Sequence, residues 1–156
     1  MRLIRGLAIH QTGGSNTETV ESIRRYHMTP ESQGGPPGGP WSDIGYHLVC
    51  YRDGTVHDGR PIERVGSHVK GANADTIGIC CVGKGDAFPI GTSGYMTQPQ
   101  WGSLLDLCEA LCRRFNLRYW QVKGHREYPS GAAQGKTCPG FGVRKLRLEL
   151  KERLEA

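Results

Sequence analysis

The feature that most constrains the fold is a succession of three segments: the apolar run "TIGICCVG" (76–83), the stretch "TQPQWGSLLDLCEALCRRF" (97–115) and a second apolar run within "LRYWQVKGH" (117–125). In the middle segment Trp101, Leu104, Leu105, Cys108, Leu111, Cys112 and Phe115 recur at helical spacing, behind a Thr97-x-x-Gln100 cap. The flanking runs are too short for core helices and read as strands. A helix with one apolar face must bury it, and the strands beside it supply the surface. The pattern therefore predicts an α/β protein, with a mixed central sheet flanked by helices.

The rest of the chain fits this frame. "LIRGLAIH" (3–10) reads as a buried strand ending at His10, followed by the polar turn "QTGGSN" and a helix that includes "TVESIRRYHM". Ser15 and Glu18 have capping-box spacing, and Val20, Ile23 and His27 repeat at helical intervals. The Pro/Gly-rich "TPESQGGPPGGPWSD" is short enough to be a flap on one domain. In "IGYHLVCYRDGTVHDGR" two extended runs surround Asp53-Gly54, a dipeptide suited to a type I′ hairpin turn, and Tyr46 and His47 point to opposite faces. From Val143 onward the chain reads as another amphipathic helix. At 156 residues, with no internal repeat, the chain is expected to form one domain spanning 1–156.

A formal charge of +5 favours an anionic partner. The basic residues are scattered, as Arg24-Arg25, Arg113-Arg114 and the terminal helix, and no nucleic-acid recognition motif accompanies them, so nucleic acid is not the expected partner. No run approaches the about 20 apolar residues of a membrane span, so stable membrane association is not expected. "MRLIRGLAIHQTGG" lacks a small-residue cleavage site, which leads us to expect cytoplasmic synthesis without a secretory signal. The six cysteines are accordingly expected to be thiols.

The residues with chemistry are few. His10 and His125 each stand where a strand runs into a polar or glycine-rich loop, and Cys138 returns from the loop after the second. Two imidazoles and a thiolate form a recognised catalytic zinc set, because three protein ligands leave a fourth position for water or substrate. By spacing alone this signal is weak, since a lone strand-end histidine is more often a hydrogen-bonded structural residue than a ligand.

The ordered segments "AIHQT", "IGYHLV", "YRDGTV", "VGSHVKGAN", "TIGICCVG", "GHRE" and "GKTCPGF" resemble the zinc-dependent N-acetylmuramoyl-L-alanine amidases, the family shared with peptidoglycan-recognition proteins. The similarity is greatest to amidase-type lysozymes of bacteriophages and runs from about Leu7 to Phe141. It implies one Zn2+ ion held by His10, His125 and Cys138, with Tyr46 and Lys136 as catalytic partners. The implied reaction is hydrolysis of the bond between the lactyl group of N-acetylmuramic acid and L-alanine, by a monomer acting on the cell wall as a phage or prophage endolysin. The "GSHVKGAN" segment matches a cleft-lining stretch of the family, which makes His68, Lys70 and Asn73 candidate substrate contacts.

Two departures accompany the likeness: Gln11 stands where many relatives place a second histidine, and the "GGPPGGPWSD" flap is distinctive. Some relatives use a glutamate base where Tyr46 stands, so the identity of the base stays open. The leading rival is a module of the same fold that binds muropeptide without cutting it; retention of Cys138 argues against that. A glycosidase would need two carboxylates flanking the sugar bond, and no such pair is evident, Glu127 being placed at most to orient a ligand histidine. His47 is expected on the second sheet face, and His27 and His57 at the surface or on a helix face. Cys50, Cys80 and Cys81 in strands, and Cys108 and Cys112 on the apolar helix face, read as core.

Overall fold

The computed structural model describes residues 2–85 and 95–156. Five strands, β1 (Gly6–Gln11), β2 (Leu48–Cys50), β3 (Val56–Asp58), β4 (Thr76–Cys81) and β5 (Val122–Gly124), form one sheet in the order β3-β2-β4-β1-β5. β1 runs parallel to both β4 and β5, and β4 parallel to β2; only the β2–β3 hairpin is antiparallel. The sheet is mixed and flanked by helices, as the sequence predicts.

Alternation along β1 sorts the two faces. Leu7 and Ile9 enter the main core with Ile77, Ile79 and Cys81 of β4, where α2 (Gln98–Phe115) and α4 (Val143–Glu155) cover them through Leu104, Cys108, Leu146 and Leu150. Ala8 and His10 face the other way. There, Val49 and Cys80 pack against Val20, Ile23 and Ile44 beneath α1 (Val20–His27), while Val69 and Tyr128 lie over Ala8. His10 thus rises from the floor of the second face, in register with Cys80.

Local chemistry differs from the sequence reading at three points. The cap of α1 is Thr19, whose hydroxyl accepts from the Ser22 amide while the Ser22 hydroxyl accepts from the Thr19 amide. Ser15, the expected cap, bonds Thr17 instead, and Glu18 accepts from Ser22. The hairpin is not type I′, which would need positive φ at two residues: only Gly54 has it (φ +89°), with Gly54 N donating to Tyr51 O and Tyr51 N to Thr55 O. The connection is a three-residue turn ending in a left-handed glycine, and the Asp53 carboxylate accepts from the Thr55 amide. Finally, the glycine-rich stretch after His125 is not slack: it contains a short helix, α3 (Pro129–Ala133).

The Pro/Gly-rich flap is an ordered loop. Trp41 N donates to His27 O, and the Trp41 ring packs on His27 with centroids 4.5 Å apart. That contact closes α1 over the sheet and buries His27, which the sequence reading left on an open helix face.

Candidate metal centre

Three separate segments converge on the second face. β1 carries His10, the turn after β5 carries His125, and the loop after α3 carries Cys138. One donor atom from each lies within 4.8 Å of the other two. The last two segments are tied directly: Arg126 N donates to Cys138 O at 3.0 Å, and the Arg126 guanidinium donates to Thr137 O and Phe141 O. Behind His125, Glu127 accepts from the Gly124 amide and pairs with Arg147 of α4 at 2.7 Å, fixing the turn to the helix layer. The expected orienting role of Glu127 thus acts on the backbone.

The donor chemistry fits a zinc ion. His10 Nδ1 faces Cys138 Sγ at 3.8 Å, and the rings of His10 and His125 are 4.8 Å apart. Tetrahedral bonds of about 2.0–2.3 Å put ligand atoms roughly 3.4–3.7 Å apart, so the widest pair needs to contract by only about 1 Å. Cys138 Sγ accepts from the Gln11 amide at 3.1 Å, a bond suited to a thiolate. Burial pushes the metal-free thiol up to about 11, against the opposing pull of that amide, Lys136 and Arg126. Burial also holds His10 well below the usual imidazole range, with His68, His125 and His27 adding to the effect. His125 is lowered by burial and then by Lys136. Neutral imidazoles and a thiol that a cation would deprotonate are the forms metal ligation requires. Gln11, where relatives place a second histidine, uses its side chain elsewhere, accepting from the Gly85 amide.

Tyr46 and Lys136 both lie near the cluster, Tyr46 by ring contact with His10 and Lys136 by its charge on His125 and Cys138. The Tyr46 ring lies 5.1 Å from His10, and burial, reinforced by the sulfurs of Cys80 and Cys138, raises its hydroxyl well above the usual phenol range, so it stays a donor. Lys136 is exposed, its backbone amide bonded to Gly131 O at the end of α3, and its charge is felt by both His125 and Cys138. Beside Tyr46 opens a cleft of about 370 Å³ lined by Thr12, Glu18, Ser22, Tyr26 and His27. His27 was missed as a lining residue. Its recurrence with Val20 and Ile23 was the available signal, and its ring meets that of Tyr46 with centroids 5.4 Å apart.

The expected substrate contacts fall differently. His68 is buried, with Nδ1 2.9 Å from His10 Nε2 and Nε2 toward Thr76 Oγ1, so its ring offers no free nitrogen to the cleft. Asn73 Oδ1 accepts from the amides of both His68 and Val69. Lys70 is exposed, and its carbonyl accepts from Ser130 of α3. Tyr46 and His47, expected on opposite faces, lie on the same side of the sheet: the Tyr46 ring is 5.1 Å from His10 and the His47 ring 5.6 Å from His68, because His47 precedes β2 and curls back so that its Nδ1 accepts from the Gly78 amide and its protonated Nε2 donates to Arg64 O. All six cysteines are free, and the five outside the site are buried.

Residues 1–141 match the family model described as N-acetylmuramoyl-L-alanine amidase. The endolysin of Escherichia phage T7 is 34% identical over 134 residues, covering 86% of this chain and 78% of that protein. The endolysin of Klebsiella phage KP32 is 47% identical over 68 residues; this match spans 44% of this chain and only 39% of the relative's length. Among solved structures, an endolysin N-acetylmuramoyl-L-alanine amidase from Clostridium intestinale URNW superposes with a TM-score of 0.72 at 29% identity, covering 94% of this chain and 83% of that one.

Proposed function

The chain belongs to the N-acetylmuramoyl-L-alanine amidase family, and from that premise we propose that it hydrolyses the amide joining the lactyl group of N-acetylmuramic acid to L-alanine in bacterial peptidoglycan, as a phage or prophage endolysin. The observation that carries the reading is the convergence of His10, His125 and Cys138 within 4.8 Å, beside Tyr46 and within reach of the charge of the exposed Lys136. His10, His125 and Cys138 would hold the zinc ion. When bound, zinc supplies Lewis-acid activation of water and of the scissile carbonyl.

The remaining steps fall to the protein. Lys136, exposed on the turn after α3 with its charge felt at His125 and Cys138, brings a positive charge to the carbonyl oxygen as it becomes an oxyanion. Tyr46, kept protonated by burial, donates a hydrogen bond to the tetrahedral intermediate, and it can relay to the leaving L-alanine nitrogen the proton that the attacking water gives up, ending as the neutral phenol it began as. The cleft beside Tyr46 offers polar groups of Thr12, Glu18 and Ser22 to hold the substrate. We further propose that the protein works as a monomer with a single zinc ion, and that the cell wall is where it acts.

The test is digestion of purified peptidoglycan by the zinc-loaded protein, with and without a chelator. The expected products are free L-alanine amino groups, with no new reducing sugar, and their release should stop on chelation. New reducing ends would refute the amidase reading, and absence of any product across peptidoglycan types would favour a binding module.

A further inference from the structure

We propose that His68 is a positioning residue of the metal centre, which holds His10 in the tautomer whose Nδ1 lone pair points at Cys138 and His125. The inference rests on the zinc-amidase reading for its purpose, but its geometry comes from a different part of the fold, the loop before β4.

The direction of the hydrogen bonds can be worked out from the end remote from the metal centre. Thr76 Oγ1 lies 2.7 Å from Ala72 O, so its single proton is committed there and the oxygen can only accept from His68 Nε2 at 3.4 Å. His68 therefore carries its proton on Nε2 and a lone pair on Nδ1. At 2.9 Å from that lone pair, His10 Nε2 is the donor. A neutral imidazole protonated on Nε2 is bare on Nδ1, the atom that faces Cys138 Sγ. The reverse order would leave a His68 lone pair against a hydroxyl oxygen with no proton to give. The relay thus selects the ligating nitrogen with no metal present.

The fold reserves space for this ring. A Cβ on Gly78 would stand 2.6 Å from the His68 ring, and one on Gly66 2.8 Å from it, so both flanking positions must lack side chains for the imidazole to reach His10. Asn73 Oδ1, accepting from the His68 and Val69 amides, fixes the backbone from which the ring projects. This arrangement accounts for the "GSHVKGAN" segment and for Thr76 through one task. Orienting partners of ligand histidines commonly change metal affinity by about 10–100-fold when removed.

The experiment measures zinc affinity by chelator competition in the full chain, with thermal melts of the chelated proteins alongside. His68→Leu, which fills the slot but accepts no hydrogen bond, should weaken zinc binding by about 10–100-fold. His68→Asn, whose Oδ1 can stand near the position of Nδ1, should restore most of that affinity, although it supports the loop no better than leucine. Thr76→Val keeps the His68 ring and removes the acceptor that sets its tautomer; it guards against a His68→Leu protein that fails to fold, and should weaken zinc by a smaller factor. The proposal is overturned if His68→Leu and Thr76→Val bind zinc as tightly as the parent, or if His68→Asn loses as much affinity as His68→Leu. If the parent itself fails to bind zinc, the proposed function falls and this inference falls with it. Normal zinc binding by the parent and all variants removes the inference alone.

Discussion

Cys138 and Cys108 carry the same thiol, but one faces His10 across 3.8 Å and the other is enclosed by the apolar face of α2. Cys138→Ser should therefore lose zinc and hydrolysis while the melting temperature of the chelated protein changes little, because sheet and helix burial is untouched. Cys108→Ser should cost about 1–3 kcal/mol of stability through a buried hydroxyl, yet keep stoichiometric zinc and normal activity per folded molecule. Elemental analysis, melts and turnover on both variants check the pair; zinc and activity retained in Cys138→Ser would refute the ligand assignment. Lys136→Ala and Tyr46→Phe test chemistry rather than binding. Each should keep its zinc, and Lys136→Ala should lower kcat by roughly 10²–10³-fold if the ammonium acts mainly on the oxyanion. Metal loss in either would make the residue a structural support. At this scale the sequence was legible in one respect, that a family likeness marked His10, His125 and Cys138 as residues the fold brings together. It was not legible at His68, because the hydrogen bond to His10 depends on two glycine-lined gaps and a hydroxyl eight residues away, none of which has a sequence period.

Elements with a long apolar stripe were the legible ones. α2 and α4 each bury residues at helical spacing, and β1 and β4 are apolar runs paired along their length, so hydrophobic period alone predicts them. Turns and caps were harder, since a shift of a few residues leaves the composition unchanged: Thr19 displaces Ser15 as cap, and Gly54 alone takes the left-handed conformation. α3 was missed because five residues that include proline and glycine carry no stripe; it forms where Tyr128 and Gly131 pack at the His125 turn. Gln100 shows how a legible element can hide its anchor. Expected only as part of a cap, it is fully buried, and its Nε2 donates to Cys50 O and Val82 O, joining α2 to the ends of two strands. Its Oε1 has no partner. Gln100→Met keeps the length and removes that orphan acceptor, but leaves Val82 O without its donor. We expect a net loss of about 1–3 kcal/mol in denaturant unfolding. A gain in stability would mean that the orphan oxygen outweighs both bonds.

Over the whole molecule, the second face of the sheet is built around neutral histidines, which ties stability to pH. His27 and His47 each accept a backbone amide on Nδ1, from Gly45 and Gly78, bonds that a proton on that nitrogen would break. Burial lowers both to about 4; Arg60 adds to the effect at His27, and Arg2 and Arg60 at His47. In the unfolded chain an imidazole titrates near about 6.5, so between the two values the unfolded state takes up protons that the folded state refuses. Stability must then rise with pH across that window: the contribution is complete above about 6.5 and is lost as pH falls toward about 4. Each ring therefore contributes at most about 3 kcal/mol across that window. Melts of the chelated protein between pH 7 and pH 4.5 measure the slope without interference from metal release. The variant His27→Asn/His47→Asn, which keeps an acceptor near each Nδ1 but cannot titrate, should show a flatter dependence. An unchanged slope in that variant would place the acid sensitivity elsewhere. Because the His47 ring meets the His68 ring edge-on with centroids 5.6 Å apart, acid that expels His47 also loosens the wall behind His68, so zinc affinity should fall in the same window faster than protonation of the ligands alone requires.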